Sequence, residues 1–199
     1  MADYTAVFAV GDSLVNFLTN SYQASQAALK LPTPCTFKLV SSTEIATEET
    51  ATLDQVVTLF LHRITMNDQF RSTSHLQDVN DRQPVLFLDL HYLVTYWGKE
   101  AVAEQKLLAW TMQQLQSYPI LDRSILTTDA QWETTETVQL VPADLSLEDI
   151  LRIWDALGPK YRLSVSYIAR VVRIDRTVTG SDLPVVATRF TYQDGVATS

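Results

Sequence analysis

Hydrophobic and polar positions divide the chain into stretches of two different periods, and the clearest change of period lies between Leu145 and Asp175. Leu147, Ile150, Leu151, Trp154 and Leu157 recur at three- and four-residue spacing, which places them on one face of a helix. Ser146 stands at the N-cap, with Asp149 in the third helical position of a capping-box arrangement. Leu145 and Ile150 are spaced as a hydrophobic staple. Gly158 supplies the left-handed stop and Pro159 prevents continuation. From Arg162 the period becomes two: Leu163, Val165, Tyr167, Ala169 and Val171 point one way. Arg162, Ser164, Ser166 and Arg170 point the other way, interrupted by Ile168. An extended run from Arg162 to Ile174 spans roughly 43 Å, well beyond a typical strand. Its outer end is therefore expected to outrun a small core and meet something else.

The remaining elements follow from the same reading. Ala6 to Tyr22 carries a helical stripe of Val7, Val10, Leu14, Phe17 and Leu18, with Gly11 as a weak point and Asp12 or Ser13 as an alternative start. Ser21 to Leu31 is polar and alanine-rich, and Pro32 and Pro34 interrupt regular structure. Phe37 to Val40 reads as a short strand and Ser41 to Thr52 as a solvated loop. Val56 to Ile64 alternates as a strand, 66–82 reads as a long irregular loop, and Val85 to Thr95 as a strand buried on both faces. Lys99 to Tyr118 is predicted as a helix facing inward through Val102, Gln105, Leu108, Met112 and Leu115, with Leu107 and Trp110 beside that face. Trp132 to Val141 alternates as a strand. Pro184 to Tyr192 reads as a final edge strand, and the tail from about 193 as frayed. This order predicts an α+β fold: a mostly antiparallel sheet with two or three helices packed on a face.

Composition adds limits. The 199 residues suit one domain, and 46% hydrophobic against 19% charged residues predicts a packed core. A formal charge of −8 speaks against a non-specific grip on nucleic acid or anionic lipid. The single cysteine, Cys35, fits assembly in a reducing compartment. The opening residues carry an acid and no base before their apolar run, the wrong polarity for a signal peptide, and no run is long enough to span a bilayer. The expectation is a soluble protein made in the cytoplasm, with no membrane insertion.

The chain contains no phosphate loop, dinucleotide fingerprint, nucleophile elbow or zinc-protease motif. Asp89 and His91, two apart on one side of a strand, form the one pairing that a metal or general-base reading would use. The favoured reading is a buried histidine satisfied by a neighbouring carboxylate. Glu48-Glu49 and Glu148-Asp149 are explained by solvation and the helix dipole. No catalytic residue, cofactor or metal is expected. Trp110 and Trp154 read as core. Trp97, at a strand end before Gly98, is a candidate contact residue. Arg162, Arg170 and Arg173 read either as a solvent face or as a charged docking strip. Phe190 and Tyr192 on the final edge strand complete the candidate interface.

Four segments in order, VVTLFLHRITMNDQFR, PVLFLDLHYLVTYWGK, EQKLLAWTMQQLQSYPIL and LSLEDILRIWDALGPKYRLSVSYIARVVRID, resemble the cap, or tail-terminator, family of phage-tail-like contractile injection systems, of the Photorhabdus virulence cassette and antifeeding prophage type. The resemblance covers roughly Ala6 to Phe190. It implies a structural protein with a tail-terminator fold. Such a protein forms a hexameric ring on the inner tube, distal to the baseplate, and engages the last sheath layer. The partners implied are copies of itself, the tube protein and the sheath protein. Trp97, where small residues are more usual, and His62, in place of a common Tyr, depart from the pattern. A non-catalytic adaptor that docks cargo or an anchor to such a particle is the alternative.

Overall fold

The computed structural model describes residues 2–32, 34–46, 54–67, 85–133 and 135–174. In chain order the elements are α1 (Ala6–Leu29), β1 (Thr36–Val40), α2 (Ser42–Ala46), β2 (Val56–Met66) and β3 (Leu86–Trp97). Then come α3 (Ala101–Ser117), β4 (Ile120–Leu121), β5 (Val138–Ala143), α4 (Leu147–Leu157) and β6 (Ser164–Ile174). The strands form one sheet in the order β1-β2-β3-β6-β5-β4. Only β1 with β2 is parallel; the other four pairings are antiparallel. The α+β class and the mostly antiparallel sheet are as the sequence predicted.

The placement of helices is not. They cover both faces. On one face, α1 and α3 pack over Val57 and Leu59 of β2, Leu90, Tyr92, Val94 and Tyr96 of β3, Leu140 of β5, and Tyr167 and Ala169 of β6. On the other, α2 and α4 close a smaller core of Val40, Ile45, Val56, Leu93, Trp97, Trp154 and Leu157. This second core explains why the inner half of β3 is buried on both faces.

Helix α4 follows its local signals. Ser146 Oγ accepts from the Asp149 N–H at 3.1 Å, and Gly158 ends the helix at φ 91°. Trp154 and Leu157 are buried, while Leu147 and Leu151 of the expected stripe remain exposed. Helix α1 runs seven residues past Tyr22 to Leu29, because Ala24, Ala27 and Ala28 favour helix. It stops at Lys30, which takes a left-handed conformation (φ 51°). Gly11 does not interrupt it. A Cβ there would lie 2.9 Å from Leu39 Cδ1, so glycine lets α1 sit close on β1.

Three further expectations are corrected. Ser41–Ala46 is not loop: Ser41 and Glu44 cap each other reciprocally, the Ser41 N–H donating to Glu44 Oε2 (2.7 Å) and the Glu44 N–H to Ser41 Oγ (3.3 Å), which starts α2 and buries Ile45. In α3 the buried face is Ala103, Leu107, Leu108, Trp110, Thr111 and Leu115, leaving Val102 63% and Met112 41% exposed. Strand β5 begins at Val138, not Trp132, and runs through Pro142. That proline is tolerated because β4 covers only Val138 and Gln139, so its outer flank is a sheet edge. The expected strand at Pro184–Tyr192, the tail and most of the 66–82 loop lie outside the described residues.

Candidate assembly interface

Strand β6 does not outrun the core as expected: Val172 is buried and Ile174 packs against the larger core. The exposed strand ends belong to β2 and β3. At the end of the sheet where β2 finishes and β3 begins, Met66 pairs with Leu88 and Ile64 with Leu90, and Leu86 pairs with Ile174 of β6. This register puts Ile64, Met66 and Leu86 on the face that α1 and α3 cover elsewhere. Here they are 48%, 58% and 43% exposed, respectively. Three apolar side chains together on an exposed sheet end are the kind of surface that assembly partners cover.

The opposite face of the same end is polar. Asn67 Nδ2 donates to both oxygens of Asp89, at 3.0 and 3.1 Å, and Arg170 Nε lies 3.8 Å from Asp89 Oδ2. His91 Nε2 pairs with Thr65 Oγ1 at 3.0 Å. Asp89 and His91 therefore belong to a hydrogen-bonded surface network in which each has its own partner. His62 sits at an irregularity between Leu61 and Arg63, with its ring 6.0 Å from that of His91. Its Nε2 is buried without a hydrogen bond. Burial, with help from His91 and Arg63, pulls the His62 pKa down to about 4; burial foremost also lowers that of His91. Among the described residues no group of three or more His, Cys, Asp or Glu is placed to hold a metal ion, and no helix is long and apolar enough to cross a membrane.

The candidate residues separate into two groups. Trp97 and Arg162 meet at one end of the sheet, and Arg170 and Arg173 lie at the other, eight or more residues on, roughly 26 Å along an extended chain. Trp97 is 1% exposed, which corrects the expectation that its ring lies at a contact surface. It packs edge-on against Trp154 at 5.9 Å and donates from Nε1 to Thr58 Oγ1 at 2.8 Å, so the second core claims it. Arg162 covers the ring. Arg173 pairs with Phe87 across β3 and β6 and lines a hollow of about 220 Å³ with Trp132 and Glu136. Phe190 and Tyr192 fall outside the described residues. The exposed trio Ile64, Met66 and Leu86 was not singled out from sequence. The alternation of Val57, Leu59 and Leu61 runs on to Arg63 and Thr65, and only the irregularity at His62 brings Ile64 and Met66 onto their face, so the pattern alone does not reveal them.

The model of the Pvc16 N-terminal domain family matches residues 9–188. No curated protein matches the chain. Among solved structures, the chain is similar to the sheath/tube terminator of an extracellular contractile injection system, PVC, in its extended state. That likeness has a TM-score of 0.50 and 17% identity, over 92% of this chain and 64% of the other. It is also similar to the tube-terminating cap of the anti-feeding prophage, with a TM-score of 0.50 and 16% identity, over 87% of this chain and 60% of the other. The chain thus spans less than two thirds of the length of either. At these identities the likeness is one of fold.

Proposed function

This chain belongs to the Pvc16 N-terminal domain family, and from that premise we propose that it is the cap of a contractile injection system. In this reading residues 1–199 act as one terminator domain. Copies close into a hexameric ring on the distal end of the inner tube, stop its growth, and hold the last layer of sheath. The role is structural and uses no catalytic residue or cofactor. The observation that carries the reading is the family match over residues 9–188, joined to a fold similar to two tube terminators. The exposed end of β2 and β3 supports it, since apolar Ile64, Met66 and Leu86 back onto the charged pair Arg170–Asp89 there. Arg170 and Arg173, with Phe190 and Tyr192, remain the proposed contact residues on the β6 side.

The test is the mass of the full chain in solution, alone and mixed with short inner-tube assemblies. A closed ring, free or formed on tube ends, is the expected result. A monomer that ignores tube ends overturns the cap and favours an adaptor that docks cargo or an anchor.

A further inference from the structure

Among the described residues, one flank of the sheet is open along half a strand. β1 accompanies β2 from Thr36↔Val56 to Val40↔Phe60 and stops, whereas β2 continues to Met66. Among the described residues no strand lies against that flank of Leu61–Met66. An unpaired strand edge presents a row of backbone donors and acceptors that another chain can use.

A cleft of about 620 Å³ opens where β1 ends. Tyr4, Val7 and Phe8 of the α1 end form one wall, and Leu39, Leu61 and Tyr92 line its inner side. Phe8 is 57% and Tyr4 77% exposed, so two aromatic rings stand in solvent beside a free strand edge. Tyr92 is 1% exposed, and its hydroxyl has no hydrogen-bond partner.

The chain also carries a segment suited to this cleft. β6 is described as far as Ile174, and 25 residues (199 − 174) follow. Ile174 pairs with Leu86 of β3, close to where Leu88 pairs with Met66 of β2, so the tail departs from the end of the sheet at which the open flank finishes. Within the tail, Val186, Thr188, Phe190 and Tyr192 alternate with Val185, Ala187, Arg189 and Thr191, the period of a strand with one apolar side. A chain with a strand to give at one place and an edge to receive at another has the head-to-tail contact that a closed ring requires. A tail folded onto its own cleft would use up both halves and link nothing.

We propose that residues 184–192 of one copy add as a strand to the open flank Leu61–Met66 of the next, with Phe190 entering the cleft beside Phe8. The inference rests on the cap reading and names the contact that closes its ring.

The test is a disulfide trap in the full chain carrying Phe8→Cys and Phe190→Cys. Cys35 can stay, because it is buried and burial pushes its thiol up to about 12. Rings assembled with tube ends are oxidised and run on a non-reducing denaturing gel. A ladder of covalent multimers ending at the closed ring is expected, with neither single variant giving one. A fast-migrating, internally linked monomer overturns the proposal, as does a cross-link only to tube or sheath protein. Intact rings without any cross-link also overturn it and leave the cap reading standing. A wild-type chain that never forms rings or binds tube ends overturns the cap reading itself. As a second measurement, the chain ended after Leu183 should keep its fold by circular dichroism and lose at least about tenfold in self-association; unchanged association counts against the proposal.

Discussion

The guanidinium carbon of Arg162 sits 4.7 Å above the centre of the Trp97 ring, and its Nη1 donates to the carbonyl of Gly98 at 3.3 Å. An arginine two residues before β6 thereby closes the lid of the second core over a tryptophan from the end of β3. Trp97→Ala should cost about 3–5 kcal/mol, by the cavity and by loss of the Trp154 contact. Arg162→Ala should cost about 0.5–2 kcal/mol. Urea unfolding measures both, and an Arg162 loss as large as the Trp97 loss would contradict this ordering.

Gly98 is tied to Tyr96 by space. A Cβ at 98 would lie 2.4–2.6 Å from the Tyr96 ring and hydroxyl, and Tyr96 is 1% exposed. Gly98→Ala is expected to destabilise by about 1–3 kcal/mol. Gly98→Ala with Tyr96→Phe should recover part of that, because the hydroxyl is the nearest atom. No recovery in the thermal midpoint of the double variant would place the strain elsewhere.

Ser146 caps α4 through the N–H of Asp149. Ser146→Ala should cost about 1 kcal/mol, and Ser146→Asp should restore most of it. Both are read from denaturant midpoints at unchanged slope.

The histidines set an acid-side slope. His62 has a folded-state pKa of about 4 against an ordinary 6.5, so the unfolded chain takes up a proton before the folded one does. No contribution from this group changes above pH 6.5. Between 6.5 and about 4, stability falls as pH falls. His91 is shifted the same way. Glu44, held low by its bonds to Ser41, adds its own loss only below its ordinary 4.5. His62→Gln should flatten the pH 6.5–4 segment of a stability-versus-pH curve, leaving the contribution of His91; an unchanged slope would remove His62 as its source.

Much of the fold was legible where its causes are local. Ser146, Gly158 and the change from a 3.6 to a 2 period fixed α4 and β6 within two residues of their observed start and end. Helix α3 shows the limit. Leu107, Leu108, Trp110, Met112 and Leu115 put apolar groups around most of its circumference, so which stripe faced inward was decided by the shape of the sheet and α1. Trp97 shows another. Its partner Trp154 is 57 positions away (154 − 97), and no pattern around Gly98 reveals a second core on the far face. The Ser41–Glu44 box was present in the sequence but obscured by the Thr- and Glu-rich run that follows it.

Pro142 gives the sheet a direction. It brings no N–H to either flank of β5, on the side where β4 shields only two residues. Strand addition at that margin lacks a full ladder. Two molecules meeting β5 to β5 have a gap in the ladder at Pro142. A proline set there discourages the edge-to-edge pairing from which cross-β fibres grow.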